Sequence, residues 1–389
     1  MTSLTGPGIV GLCILACVGL PLILAAGWNR VRRPWLAWPF RSMMILVSQL
    51  SAVLLAGVLL NDAFSFYSSW AELAGHQRPH VASPSTPAGS QDQSLQPRIV
   101  RDARTGHGTV IVLNIPGPVS QVGSHPALVY LPPQYGDPAY RNRAFPVVEL
   151  LPGYPGHPRN WVEQLAVARV LDRAIASGHV SPLIAVMPTS IVAPPRDTEC
   201  VNVAHGPQVD TYLTTDVPAA IGHDFRVQHS AAGWAIMGYS TGGYCAVNLA
   251  LRHPDRYGAA VSMAGYNNPA HDHTTGDLFG GSVSLLDQNS AVWRAQHLAP
   301  PALSLLLMYS YDSLQSSGDG RALAAAARPP LHVDVLGLAH GGHNFQVWLS
   351  EEPTAFSWLS THLTPPLAPI PTVDGLAPGQ QSLVRHAGG

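Results

Sequence analysis

Gly238-Tyr239-Ser240-Thr241-Gly242 sets a serine between two glycines. A serine alcohol is a poor nucleophile until a base takes its proton, and a G-x-S-x-G segment on a sharp strand-to-helix turn lifts Oγ to where a base can reach it. The flanks suit that turn: the apolar run Gly233-Trp234-Ala235-Ile236-Met237 precedes it and the helix-forming stretch Gly243 to Arg252 follows. Such a turn leaves the Thr241 N–H at a helix start, where an amide donor and the helix dipole stabilise a developing oxyanion. The chemistry implied is acyl transfer through an acyl-serine.

A serine of this kind needs a base and an acid, in the chain order Ser, then Asp or Glu, then His. Leu303 to Tyr309 reads as a strand and is followed by Ser310-Tyr311-Asp312, which makes Asp312 the orienting acid. The loop Ala339-His340-Gly341-Gly342-His343 precedes a final helix, and His343 at its start is the expected base. His340 is the rival base and is read instead as lining the pocket. Asp319, in Ser316-Ser317-Gly318-Asp319-Gly320, is the weaker acid because that stretch looks like a solvated turn. A second oxyanion donor is expected from Leu151-Pro152-Gly153-Tyr154-Pro155-Gly156-His157. Proline has no N–H, so Tyr154 is the expected donor with Gly153 behind it, a plain structural turn being the alternative. Gly153, Tyr239, His340 and Trp348 complete the expected substrate-binding set.

These residues must be held by a sheet. Short apolar runs at Phe145–Leu151, Leu183–Met187, Trp234–Tyr239, Ala259–Met263, Leu303–Tyr309 and Leu331–Leu336 have the length of buried strands. Thr109–Ile115 and Ala127–Leu131 suggest an opening antiparallel hairpin. Helical patterns cover Trp161–Ala176, Asp210–Phe225, Gly242–Arg252, Ser317–Ala327 and Phe345–Leu363. The alternation predicts an α/β fold, a mostly parallel sheet with helices on both faces and its site at the carboxyl ends of the strands.

The 389 residues include 36 Gly and 36 Pro but only 11% charged residues, enough for one catalytic-sized domain with tails and linkers. The net charge is −2, and all 21 basic residues other than histidine are arginine. Without a basic cluster in the body, nucleic-acid binding is not expected. Without lysine, Schiff-base chemistry, a Ser-Lys dyad and a P-loop are excluded. No G-x-G-x-x-G follows a strand, so no nucleotide cofactor is expected.

Ile9 to Ala26 and Met43 to Leu60 are uncharged apolar runs near the minimum for spanning a ~30 Å hydrocarbon core. Between them lie Arg30, Arg32, Arg33 and Arg41 with interfacial tryptophans, which by the positive-inside rule makes that loop cytoplasmic. A cleaved signal peptide competes for the first run, but Met1 to Gly6 has no basic residue. The expected organisation is therefore a two-span transmembrane anchor over 1–60, a juxtamembrane segment and linker over 61–98, an outward-facing catalytic domain over 99–363 and a Pro-rich disordered tail over 364–389.

Cys13 and Cys17 lie in the first apolar run as small apolar residues. Cys200 and Cys245 are either a disulfide bracing the nucleophile's helix or two buried thiols. His271-Asp272-His273 and the pair His340 and His343 are close histidines, but neither has the H-E-x-x-H spacing on a helix, and no metal is expected.

Taken together, Gly238-Tyr239-Ser240-Thr241-Gly242-Gly243, Leu151-Pro152-Gly153 and Gly342-His343-Asn344-Phe345-Gln346-Val347-Trp348 resemble the esterase D and mycolyltransferase branch of the α/β-hydrolases, over about Val112 to Leu363. The resemblance implies an H-x-(W/F)-x-x-W base motif on His343, Phe345 and Trp348, and an acid after a late strand, matching Asp312. It also implies metal-free chemistry on carboxylic esters or acyl lipids, outside the cytoplasm. The two-span start and the loop Leu151 to His157 differ from the mycolyltransferases, so mycolate transfer itself is not carried over. Three functions stay open: hydrolysis of a carboxylic ester, transfer of the acyl group to a cell-envelope sugar or lipid, and a non-catalytic surface binding role on the same fold.

Overall fold

Eight short runs become the strands of one sheet: β1 (Thr109–Gly117), β2 (Gly123–Leu131), β3 (Val147–Leu151), β4 (Ile184–Met187), β5 (Trp234–Tyr239), β6 (Ala259–Met263), β7 (Leu303–Ser310) and β8 (Leu331–Leu338). The structure is a computed structural model that describes residues 7–28, 34–64, 95–311, 314–339 and 343–368. The strand order is β1-β2-β4-β3-β5-β6-β7-β8, with β2 antiparallel to both its neighbours and every pair from β4 to β8 parallel. Every residue of β3, β4, β5 and β6 is buried, as continuous apolar strands are when helices cover both faces. The edge strands β1 and β8 show mixed burial instead. This is the α/β-hydrolase arrangement that the resemblance implies.

Register brings the chemistry to one edge. Leu151 pairs with Gly238, Tyr239 with Met263 and Met263 with Met308, so β3, β5, β6 and β7 reach their carboxyl ends side by side. The loops that follow them therefore leave the sheet together, which is where α/β sheets place ligands.

The described residues fall into two compact units, one formed from Met1–Ala82 with His340–Leu349 and the other from Ser83–Ala339 with Ser350–Gly389. In the first, α1 (Pro7–Gly27) and α2 (Pro34–Phe64) pack against each other, and both are long and apolar enough to cross a membrane. The second helix begins well before the expected Met43. Arg41 thereby lies inside α2, where its guanidinium donates to the Trp28 carbonyl and sits 4.7 Å over the Trp28 ring. That contact joins Trp28, just past the end of α1, to α2, and gives the arginine head a carbonyl and a ring as partners.

The helices of the second unit depart from expectation where local chemistry intervenes. α3 (Leu95–Arg104) occupies the end of the stretch read as linker, because Ile99 of this polar helix is buried against the body. The expected helix from Trp161 is two pieces, α4 (Arg159–Glu163) and α5 (Val167–Ala176), parted by Ala166 at φ 52°. The next begins as a turn at Val209–Thr211 and widens to a π-turn over Tyr212–Asp216 before α6 (Val217–Asp224). Pro218 explains the widening: it cannot donate to the Thr214 carbonyl, and the Val217 N–H reaches back five residues to Tyr212.

α7 (Thr241–Arg252) follows β5 as expected, and two unpredicted helices, α8 (Val283–Gln288) and α9 (Ala291–His297), start at the capping hydroxyls of Ser282 and Ser290. α10 (Leu314–Ala326) contains Ser316 to Gly320, so that stretch is helix and not a solvated turn. α11 (Phe345–His362) buries Ala355, Phe356 and Leu359 completely. Contacts with the body continue past the expected boundary at Leu363. Thr364 N–H bonds to the Ala232 carbonyl and Leu367 pairs with Ala144, holding the chain to the body past Leu363.

One residue breaks the apolar rule of the central strands. Glu149, fully buried in β3, accepts a 2.9 Å hydrogen bond from Tyr257 on one carboxyl oxygen, while the other has no protein partner among the described residues. Burial pushes its pKa up to about 8, against the pull of Tyr257 and Arg256. From the ordinary carboxyl range up to about pH 8 the folded chain keeps a proton that the unfolded chain releases. Stability from this group is thus highest at the acid end and declines as pH rises through that window. Glu149→Gln should remove this decline, raising the thermal midpoint at about pH 9 by ~5 °C and changing it little near pH 5. Thermal unfolding of both proteins across pH checks this, and parallel curves would refute it.

Candidate active site

The turn after β5 leaves no room for a side chain at Gly238 or Gly242. Ser240 holds φ 56° and ψ −128°, a left-handed conformation that costs a non-glycine residue about 1–3 kcal/mol. Both sides enforce it. Its N–H donates to the Met263 carbonyl of β6 at 2.9 Å, and its own carbonyl accepts from the N–H groups of Gly243 at 2.9 Å and Tyr244 at 3.2 Å in the first turn of α7. A Cβ on Gly238 would lie 2.1 Å from the Gly242 carbonyl oxygen, and one on Gly242 would lie 2.2 Å from that of Leu151. The two glycines of G-x-S-x-G are therefore required by packing of the turn on itself and on β3.

The loop after β3 closes on the serine from the other side. A Cβ on Gly153 would stand 2.8 Å from Ser240 Cβ and 3.1 Å from the Tyr239 carbonyl oxygen, so the backbone passes directly over the nucleophile turn. Tyr154, the expected second oxyanion donor, comes one residue later, its hydroxyl donating to the Pro195 carbonyl of the loop after β4. Thr241 stands at the first position of α7, where an amide has no carbonyl one turn back within its own helix. Tyr239 was expected to touch substrate. It is instead 2% exposed, its ring 5.3 Å from that of Trp161, and it supports the turn from within the core.

Of the other expected residues, Asp312 and His340 lie outside the described residues. The strand that leads to Asp312 ends with buried Ser310, on the side of the sheet where β5 ends. His343 stands just before α11, its ring edge-on to Trp348 at 5.0 Å, and Phe345 meets Trp348 in the same way at 5.2 Å. The Asn344 side chain caps this helix start by accepting from the N–H groups of Gln346 and Val347. His343 is an exposed residue, while partial desolvation of its imidazole lowers the pKa below the ordinary histidine value. Asp319 accepts the Asn267 N–H at 3.0 Å, tying α10 to the loop after β6. Asp272, between His271 and His273, accepts from Thr274 and Thr275 in a local turn. Among the described residues no group of three or more His, Cys, Asp or Glu is arranged to hold a metal ion.

Cys200 and Cys245 are joined in a disulfide with their Cα atoms 5.6 Å apart, which ties the loop after β4 to α7. Sequence reasoning missed the polar groups beside it. Thr241 Oγ1 donates to Asp197, and Tyr266 OH donates to Glu199. The one signal for them was their place next to Cys200.

Adding a methyl group at Gly153 tests the closeness of the two loops. Gly153→Ala should lower ester turnover by at least about 100-fold, the cost of misplacing reacting groups by an ångström or so. A variant that turns over ester like the wild type would refute this packing.

Residues 123–350 match the model of the Esterase family, described as "Putative esterase". An uncharacterized protein of Corynebacterium glutamicum is 31% identical over 253 residues, 60% of this chain and 56% of that one. The MPT51/MPB51 antigen of Mycobacterium tuberculosis is 34% identical over 93 residues, 23% of this chain and 30% of the antigen. The chain thus spans about half or less of the length of these relatives. An S-formylglutathione hydrolase from Agrobacterium tumefaciens, 18% identical, shares the fold with a TM-score of 0.56 over 66% of this chain and 96% of that one. With its family match running from β2 into α11, across more than half of the chain, the protein belongs to the Esterase family and has the α/β-hydrolase fold.

Proposed function

We propose that the chain is a membrane-anchored serine esterase, acting outside the cytoplasm on carboxylic esters through an acyl-enzyme on Ser240. The observation that carries this reading is the left-handed Ser240 at the β5–α7 turn, packed under Gly153. In the reaction, His343 takes the Ser240 proton as Oγ attacks the ester carbonyl carbon. The oxyanion that forms is held by the N–H groups of Thr241 and Tyr154. Collapse expels the alcohol, which receives the proton from His343. Water, activated by the same histidine, then releases the acid and frees Ser240. Asp312 orients the imidazole. The family match includes all three residues, in the required order.

Location rests on other features. α1 and α2 suit a hairpin in the bilayer, and by the positive-inside rule Arg30, Arg32 and Arg33 between them support a cytoplasmic turn. The chain beyond α2 then lies outside, in surroundings that favour the Cys200–Cys245 disulfide. An apolar cavity of about 350 Å³, lined by Leu278, Phe279, Val283 and Leu286, adjoins the loop that also supplies Tyr266 and suits the acyl part of an ester or acyl lipid. If a sugar or lipid hydroxyl replaces water in the second half-reaction, the same intermediate yields acyl transfer.

A fluorophosphonate probe should label the wild type and leave Ser240→Ala unlabelled, with turnover of a short p-nitrophenyl ester lost in parallel by about 10⁴-fold or more. Product analysis with an added sugar or lipid alcohol separates water from acceptor as the acyl sink. A folded, inert, unlabelled wild type would move the function to binding.

His343 must be neutral to act as base, and its lowered pKa extends the neutral form to more acid conditions. The acid limb of kcat/KM is therefore expected below the ordinary imidazole value of ~6.5. A pH–rate profile measures it, and a limb above neutrality would count against His343 as the base.

A further inference from the structure

The reaction above makes no use of the buried polar groups behind the Ser240 turn. The loop after β4 brings Asp197, 4% exposed, and Glu199, fully buried, against the start of α7. Glu199 and Cys200 both hold left-handed backbones, φ 46° and 55°, a costly conformation that persists only where the surroundings enforce it. The enforcing contacts converge on one place. Thr241 Oγ1 donates to Asp197 Oδ2 at 3.3 Å. Tyr266 OH lies 2.5 Å from Glu199 Oε1 and 3.4 Å from Thr241 Oγ1. The Tyr266 ring stacks on Tyr244, one turn further along α7, with centroids 5.0 Å apart, and Cys200 is bonded to Cys245 beside it. Within the loop, the Glu199 N–H donates to Asp197 Oδ1 at 2.9 Å, and the Ala270 N–H donates to the Glu199 carboxylate at 3.0 Å. From this loop a hydrogen bond reaches Thr241 and a disulfide reaches Cys245, while the Tyr266 ring from the loop after β6 covers Tyr244, so the contacts gather on residues that follow the serine.

We propose that Asp197, Glu199 and Tyr266 are positioning residues for the oxyanion site: through Thr241 Oγ1 they hold the first turn of α7 so that the Thr241 N–H meets the carbonyl oxygen as it gains charge. The inference rests on Ser240 being the nucleophile. Its physical basis is that preorganised donors act only where they are already aimed, and an ångström of error costs about two orders of magnitude in rate. A threonine at the first helical position can otherwise turn its hydroxyl to solvent or to its own backbone. Asp197 removes that freedom directly, and Glu199 adds to it by holding the Tyr266 hydroxyl beside Thr241 Oγ1.

The set is also sensitive to protons. Burial pushes the Glu199 pKa up to about 8, helped by the negative charges of Asp197 and Asp272 and opposed by the hydrogen bonds from Tyr266 and Ala270. Asp197 is raised for the same first reason, burial. Tyr266 and Tyr244, which face Glu199 from the loop after β6 and from α7, stay protonated, their pKa values raised by burial and by this carboxylate.

The test uses the full chain in detergent micelles. A fluorophosphonate probe is mapped by mass spectrometry and counts working sites, and kcat and KM per working site are measured for Asp197→Asn, Glu199→Gln, Tyr266→Phe and the double variant Glu199→Gln/Tyr266→Phe. The expected result is a fall in kcat of about 10- to 100-fold, with KM within about 3-fold of wild type. The double variant should lose little more than the worse single variant, as residues acting as a unit do. The kcat profile of the wild type should carry an inflection near the Glu199 pKa that Glu199→Gln lacks. Tyr266→Phe keeps the ring stack on Tyr244 and so isolates the hydroxyl if a carboxylate variant fails to fold. Unchanged kcat per working site, or a rise in KM alone, would overturn the positioning role while leaving the nucleophile in place. A wild type not labelled on Ser240 would overturn the reading of the nucleophile itself, and this inference with it.

Discussion

The hydrogen bond from the Ser240 N–H to the Met263 carbonyl, and those from α7 back to the Ser240 carbonyl, hold a backbone that would relax if either side were released. Much else in the domain follows from keeping that turn tight. With Leu151 paired to Gly238, the helix that starts two residues after the strand must pass over the end of β3, and Gly242 sits against the Leu151 carbonyl because adjacent strands are only about 4.8 Å apart. The same spacing brings Gly153 over Ser240. The sheet thereby sets the distance between Ser240 and the loop after β3.

The strands and the turn were legible because their signals are local. An apolar run of strand length ending in G-x-S-x-G reads the same in sequence and in space, and β5 keeps the expected bounds Trp234–Tyr239. What escaped depends on partners far along the chain. Asp197 meets Thr241 across 44 residues, and Glu199 meets Tyr266 across 67, which no spacing rule reveals. α8 and α9 are too short for a clear period, and their serine caps were the readable signal. Composition concealed α3, since one buried face around Ile99 is enough to fold a stretch that otherwise looks like linker. Tyr239 was misread for a simple reason: the residue before the nucleophile still belongs to the strand and shares its burial.

The absence of lysine shapes how this chain buries acid. Asp210 is held by the side chains of Arg252 at 3.0 Å and His253 at 2.7 Å, and despite its burial these partners lower its pKa. Glu149 and Glu199 meet hydroxyls and amides instead, and burial wins. Glu351 and Glu352 on α11 are buried without a hydrogen-bond partner among the described residues, and both are raised. An arginine or histidine partner thus separates Asp210, whose pKa is lowered, from the buried glutamates that burial raises.

The Cys200–Cys245 bond closes a loop of 45 residues around β5 and the nucleophile turn, which by chain entropy alone stabilises the fold by about 4 kcal/mol. Forming it removes two electrons and two protons from the thiols, so an oxidant takes part in finishing the molecule. Before oxidation, the helix after Ser240 is held to the loop after β4 by the Thr241–Asp197 hydrogen bond and core packing, without the covalent tie. Oxidation is thus the step that makes the link between the loop after β4 and the helix after Ser240 covalent.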